Sequence, residues 1–486
     1  MAILISITVF MVLFCACGRI AASQYVSNEN TSQNNISQDN TPAHVDNSNE
    51  ASHLTHEDFL SDLAFLVALL EENFPQLNHA YRKFGLDINL QEAKTAQFIE
   101  TLPSSTDFDA NLLVNILNQH IFAQNQNALS LAGNGVATFW GAIEYYWIMH
   151  ASVRMLENSE LLMLQREALS NPATIASHEA MIDRMTQLGF DMADERPRFD
   201  RPLLPIINRN VTPAIQLDGI EMRSSDENIA YIRLHMDLAH AFWEDEEVFI
   251  SYWADRIFDF YSQIESYGHL IIDVRGERAA SLNLFGQLLL GPFIENRQST
   301  LDMYGFFQGG GASETFARAM ISNIDTDRAS ETTIYRINDL PAIVRGDLPH
   351  MNLDDLAILD YGFTWQTKIP GGNRQSHFNG TIWILIDEDT ASAAEIFAKV
   401  ARNEGVATLV GSQTLGNFGK ISHNGNAALA TLPNTGVIIA WDPIYFTDDY
   451  GHPIHEYHVI PDYFNHEGMD ALEIVLEIIR DRANGS

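Results

Sequence analysis

Residues 381–420, TIWILIDEDTASAAEIFAKVARNEGVATLVGSQTLGNFGK, hold the clearest candidate chemistry in the chain. The apolar run TIWILI reads as a buried strand that ends at Asp387-Glu388-Asp389. A helix is predicted over 391–403, with Thr390 as its N-cap and Gly405 as its stop. Ser392 then falls in the first turn, where unpaired backbone N–H groups and the positive end of the helix dipole meet. Such a place can stabilise a developing alkoxide and a tetrahedral oxyanion. A sharp strand-to-helix turn also presents a hydroxyl at the sheet's carboxyl edge. A serine at a helix start more often only caps the helix. The acidic run 387–389 reads by default as a solvated turn rather than a cation site.

Serine needs a base to become a nucleophile. The chain has five lysines: Lys83, Lys94, Lys368, Lys399 and Lys420. Lys399 lies two helical turns past Ser392, roughly 10 Å along the axis, too far for easy contact with the hydroxyl. Lys420 could approach only if its loop bulges. His120 ends Asn115-Ile-Leu-Asn-Gln-His120, on the Leu113, Ile116 and Leu117 side of its helix, where a half-buried structural role is the alternative. His452, His455 and His458 flank Glu456 and are further candidates. Glu456 could orient a base; its plainer role is a surface ion pair.

These residues must be positioned by a chain of 486 residues with 46% hydrophobic content, enough for a large core. The formal charge of −36 repels nucleic acid and anionic headgroups. Residues 2–16 form an apolar run, short for a membrane span, that suits a signal peptide. It leads into Cys15-Ala16-Cys17, and no other cysteines occur. A lipoprotein-type signal over 1–17 with Cys17 lipidated is the reading taken. It would place the protein in a bacterial cell envelope, extracytoplasmic and lipid-anchored, or secreted if the signal is an ordinary one. Residues 18–54 are rich in Ser, Asn and Gln and read as a tether.

Thr55-His56-Glu57-Asp58 resembles a capping box. Helices are predicted near 91–101, 109–123, 137–170 and 176–188, giving a helical domain over 55–195. Three prolines in 195–205 mark a boundary. Over 206–486, strands at 229–234, 269–274, 381–386, 406–410 and 437–440 alternate with helices at 245–266, 281–290, 391–403 and 468–482. That order implies an α/β fold with a mainly parallel sheet. Gly309-Gly310-Gly311 lacks the lysine of a phosphate loop, follows no convincing strand, and reads as a flexible loop.

Several short motifs, in order, resemble the C-terminal-processing (tail-specific) peptidases, an S41-type serine peptidase family that includes the tricorn core and retinoid-binding-protein repeats. They are Leu270-Ile-Ile-Asp-Val-Arg275-Gly276, Ser392-Ala393-Ala394-Glu395, Gly411-Ser-Gln-Thr414-Leu-Gly416, Leu432-Pro-Asn434-Thr435-Gly436 and Glu456-Tyr-His-Val-Ile-Pro461-Asp462. The resemblance covers roughly 225–482. It implies a ClpP/crotonase-like sheet domain and an endopeptidase that takes extracytoplasmic polypeptide through an acyl-enzyme on Ser392, with no cofactor or metal. It implies oxyanion donors from Ala393 and the Ala279-Ala280 turn. It favours the tricorn-like branch, with His120 as base and Glu456 assisting.

The sequence departs from the family at three points. Asn417 stands where one branch carries its lysine, asparagine (Asn127) takes the most natural histidine position, and Ala279-Ala280 replaces a glycine pair. A fold retained for binding without catalysis is therefore the alternative, and hydrolysis of small esters a third.

Overall fold

The computed structural model describes residues 54–122, 136–139, 160–187, 215–218, 229–234, 246–277, 282–294, 298–325, 332–371, 374–416, 427–454 and 458–485. The first helix, α1 (His56–Asn73), opens with the capping box: Thr55 Oγ1 accepts the N–H of Asp58, and the Asp58 carboxylate accepts the N–H of Thr55. Phe59, Leu63, Leu66 and Leu70 recur at helical spacing and are all buried. Helices α2 (Leu77–Phe84), α3 (Ile88–Thr101) and α4 (Ala110–Leu117) follow, and α4 runs into a π-type turn, Asn118–Phe122. Strand β1 (Val136–Phe139) precedes α5 (Glu160–Ala168) and α6 (Pro172–Gln187).

Strands β2 (Ile215–Asp218), β3 (Ile229–Leu234) and β4 (His269–Asp273) open the main sheet, with α7 (Glu246–Gln263) between β3 and β4. Strands β5 (Gln298–Phe307), β6 (Ile334–Arg336) and β7 (Tyr361–Pro370) build a second, antiparallel sheet, with α8 (Gly311–Asp325) after β5. The chain returns to the main sheet with β8 (Thr381–Ile386), α9 (Ala393–Asn403) and β9 (Ala407–Gly411). Strands β10 (Ala428–Thr431) and β11 (Ile438–Trp441) pair with β1 in a third sheet. Strand β12 (Tyr445–Thr447) joins the second, and β13 (Tyr463–Phe464) and α10 (Ala471–Gly485) complete the first.

The main sheet runs β13-β9-β8-β4-β3-β2, parallel throughout except for the antiparallel edge strand β2. Strand β8 sits inside it and is apolar on both faces, as a covered parallel strand requires. Alternate residues serve two cores. Ile382, Ile384 and Ile386 pack on the side of α7 and α9, where Phe397 stacks on Phe285 with ring centroids 5.0 Å apart. Trp383 and Leu385 pack on the other side against Ile474, Val475 and Ile479 of α10. The larger core continues from the sheet through Phe316 and Trp441 to Phe59, Leu66 and Leu117 of the first helices.

Two expectations are corrected. The helix predicted over 137–170 is present at 160–168, but Val136–Phe139 form a strand. Pairing with Ile438–Trp441 supplies backbone partners that helix propensity does not. Gly309–Gly311 do follow a strand, β5, and Gly311 opens α8 with the Gly310 N–H donating 2.7 Å to Glu314.

Candidate active site

Parallel strands end at the same edge, so the segments after β4, β8 and β9 meet there. Hydrogen bonds knit the first two. The Gly276 N–H donates to Asp387 Oδ1 at 2.9 Å, and the Ala391 N–H to the Glu277 carbonyl at 2.9 Å. The Thr390 hydroxyl lies 2.9 Å from Asp387 Oδ1 and 3.2 Å from the Val274 carbonyl. The acidic turn is thus structural: Asp387 accepts backbone and hydroxyl donors, while Glu388 accepts the Ser412 hydroxyl at 2.6 Å, which lowers its pKa.

Thr390 does not cap α9, contrary to expectation, because its hydroxyl is held inside this turn. Ser392 takes the N-cap position instead, with φ +57° and ψ −126°, yet its side chain makes no capping hydrogen bond and is exposed. It is the one non-glycine residue at positive φ among the described residues. A non-glycine residue held there costs on the order of 1–3 kcal/mol, and such strain clusters where surrounding structure over-determines it. Ala393 follows as the first helical residue, so its N–H has no partner within the helix.

Below this turn, Glu395 is fully buried in a helix whose residues 393–401 are all buried. Its Oε1 accepts the Thr414 hydroxyl and the Gly416 N–H, the latter at 3.0 Å. Thr414 in turn pairs with Val459: the Val459 N–H donates to Thr414 Oγ1 at 2.8 Å and the Thr414 N–H to the Val459 carbonyl at 3.2 Å. The Leu415 N–H reaches the Thr390 carbonyl at 2.9 Å. Gly411, at φ +139°, passes so close to β8 that a Cβ would stand 1.9 Å from the Ile386 carbonyl oxygen. Motifs at 392–395, 411–416 and 458–461 therefore converge on the start of α9. The sequence offered Ser-x-x-Glu, but nothing in it revealed that the glutamate anchors the second and third motifs.

Other candidates lie elsewhere. Lys399 is buried, with Nζ 3.1 Å from Asp448 Oδ2 and 3.6 Å from Asp449 Oδ1. His120 is half-buried in the π-type turn, its ring 4.3 Å from that of Phe98 in α3, and burial lowers its pKa. His452 lies beside Asp448, with Nδ1 3.2 Å from Oδ2, and stacks on His350. His458 packs against Gly416. Glu456, His455, Ala279, Ala280, Asn127, Asn417, Lys420 and Cys17 lie outside the described residues. The turn 432–436 is bound elsewhere, to α1: Asp62 accepts the N–H groups of Asn434 and Thr435 at 2.9 and 2.8 Å.

A mainly parallel sheet with helices on both faces thus carries a strained, exposed serine at its carboxyl edge. The model of peptidase family S41 matches residues 307–464, so about a third of the chain is similar to that family. Ser392, Glu395 and His458 fall inside the match; His120 and the Ala279-Ala280 turn fall outside it.

No curated protein matches the chain. Solved structures similar to it include mature CPAF complexed with lactacystin, at 13% identity over 84% of this chain and 94% of that chain, TM-score 0.44. A putative peptidase from Parabacteroides merdae is similar at 12% identity over 87% and 96%, TM-score 0.42. A lipoprotein from Streptococcus agalactiae is similar at 10% identity over 88% and 97%, TM-score 0.35.

Proposed function

We propose that the protein is a serine endopeptidase acting on polypeptides outside the cytoplasm, with Ser392 as nucleophile. The observation that carries this reading is the exposed, uncapped Ser392 hydroxyl, held at φ +57° where α9 begins. In the proposed reaction Oγ attacks the scissile carbonyl. The Ala393 N–H and a donor from the Ala279-Ala280 turn hold the oxyanion. A histidine takes the proton. An extended substrate can add as a strand to a sheet edge. The apolar run 2–16 followed by Cys17 supports an envelope location with a lipid anchor; among the described residues no helix is long and apolar enough to cross a membrane.

Incubation with a fluorophosphonate probe tests the reading. Labelling is expected in the natural chain and absent in Ser392→Ala; equal labelling of both, or of neither, overturns it. A binding protein without catalysis is the second reading. It is favoured by Lys399 being committed to Asp448 and by His120 lying against Phe98.

A further inference from the structure

We propose that His458, not His120, is the general base of this site; the assignment rests on Ser392 being the nucleophile. The placement of His458 follows from its neighbour. Val459 is paired through both its N–H and its carbonyl to Thr414, which fixes His458 opposite Leu415 and Gly416. The imidazole lies directly against Gly416. A β-carbon there would stand 2.8 Å from Nδ1 and 3.0 Å from Cε1, so only glycine, here at φ +75°, leaves room for the ring.

The segment that carries the ring is fastened on both sides of the serine. The Leu415 N–H bonds the carbonyl of Thr390, two residues before Ser392, at 2.9 Å. The Gly416 N–H bonds the carboxylate of Glu395, three residues after it, at 3.0 Å. These two hydrogen bonds hold Gly416, against which the ring packs, between Thr390 and Glu395, the residues that flank Ser392. Neither His120, stacked on Phe98, nor Lys399, ion-paired to Asp448, has a described connection of this kind. Nδ1 is buried against Gly416 while the residue as a whole is half-exposed, and the proton transfer is assigned to Nε2.

The steps balance. Nε2 accepts the Ser392 hydroxyl proton as Oγ bonds the carbonyl carbon. The imidazolium gives that proton to the departing amine nitrogen as the C–N bond breaks, leaving the acyl-enzyme. His458 then takes a proton from water as its oxygen attacks the ester carbon, and returns it to Ser392 Oγ as the acid leaves.

The test is the rate of fluorophosphonate labelling of the full chain from pH 5 to 9. In the natural chain the rate should rise with pH as the imidazole loses its proton, giving a rising limb. His458→Gln should label about 10²–10⁴-fold more slowly and lose that limb. His120→Gln should keep both rate and limb. Gly416→Ala should slow labelling by displacing the ring without removing it. Added imidazole should restore labelling to His458→Ala, which a purely structural role would not allow; thermal unfolding of each variant shows that it folds. Labelling of His458→Gln at the natural rate with its limb intact overturns the base and leaves the nucleophile standing. No labelling of the natural chain overturns both.

Discussion

Helix α9 carries two polar residues that spacing alone treats as equals. Ser392 at its start and Lys399 two turns later lie on nearly the same face. Their surroundings differ in kind. Ser392 is exposed, its backbone is strained, and its hydroxyl makes no capping bond. Lys399 is buried, its ammonium is bonded to Asp448, and Asp448 also accepts the N–H groups of Tyr450 and His452 at 2.9 Å each. Reactivity belongs where a polar group is held under strain with valence to spare; a saturated buried ion pair belongs to the scaffold.

The largest effect should come from breaking the scaffold end. Lys399→Met leaves the Asp448 carboxylate buried without its cation and should cost about 3–5 kcal/mol in urea unfolding. Adding Asp448→Asn should recover part of that loss, which a double-mutant cycle measures. Retention of full stability by the single variant would erase the contrast between the two ends.

The pH dependence of unfolding sharpens it further. Burial pushes the Asp448 carboxyl up, but Lys399 and the His452 and Tyr450 N–H groups outweigh burial and hold it below the usual range. A depressed pKa gives stability that is present above the unfolded value of about 3.9 and lost as pH falls through the folded one. Asp449 has the opposite sign. Burial and the neighbouring Asp448 raise it against the pull of Lys399, so its contribution is present at low pH and is lost as pH rises through its folded value, above about 3.9. Stability should therefore fall on acidification below pH 4, and in Lys399→Met the Asp448 part of that slope should shrink.

The smallest effect belongs to the strained end. Ser392→Gly should raise stability by about 1 kcal/mol, because glycine adopts positive φ freely, while abolishing fluorophosphonate labelling. A loss of stability instead would mean that the hydroxyl does structural work.

The main sheet was legible because its strands are continuous apolar runs bounded by turn residues. Residues 229–234 and 381–386 form strands as read, and 269–274 and 406–410 shift by a residue at most. The helix boundary near 391 moved because capping chemistry was misassigned: Thr390 looked like the cap, but its hydroxyl serves the Val274 and Asp387 turn. The ten-residue pairing of β5 with β7 was not anticipated. Its strands mix Asp302, Gly305, Gln366 and Lys368 among aromatic residues, and its partners lie some sixty residues apart, so no local pattern announces it. At the site, Ser392 could be found from a strand followed by a helix start. The link from Glu395 to Gly416 and from Thr414 to Val459 is made of contacts distant in sequence, which no single motif encodes.

The attachment of α1, α2 and the turn between them has a consequence for how the chain is made. Asp62 is satisfied by Asn434 and Thr435, Gln76 by the Ile444 carbonyl, and Arg82 by Asp355. Some 270 to 370 residues separate these partners, so α1, the first helix among the described residues, must wait for much later segments before it can dock. At synthesis rates of about 5–20 residues per second, that wait lasts tens of seconds, during which Phe59, Leu63 and Leu66 have nowhere permanent to go. Chains cut short before residue 434 should therefore present an apolar first helix to whatever chaperone or protease is near.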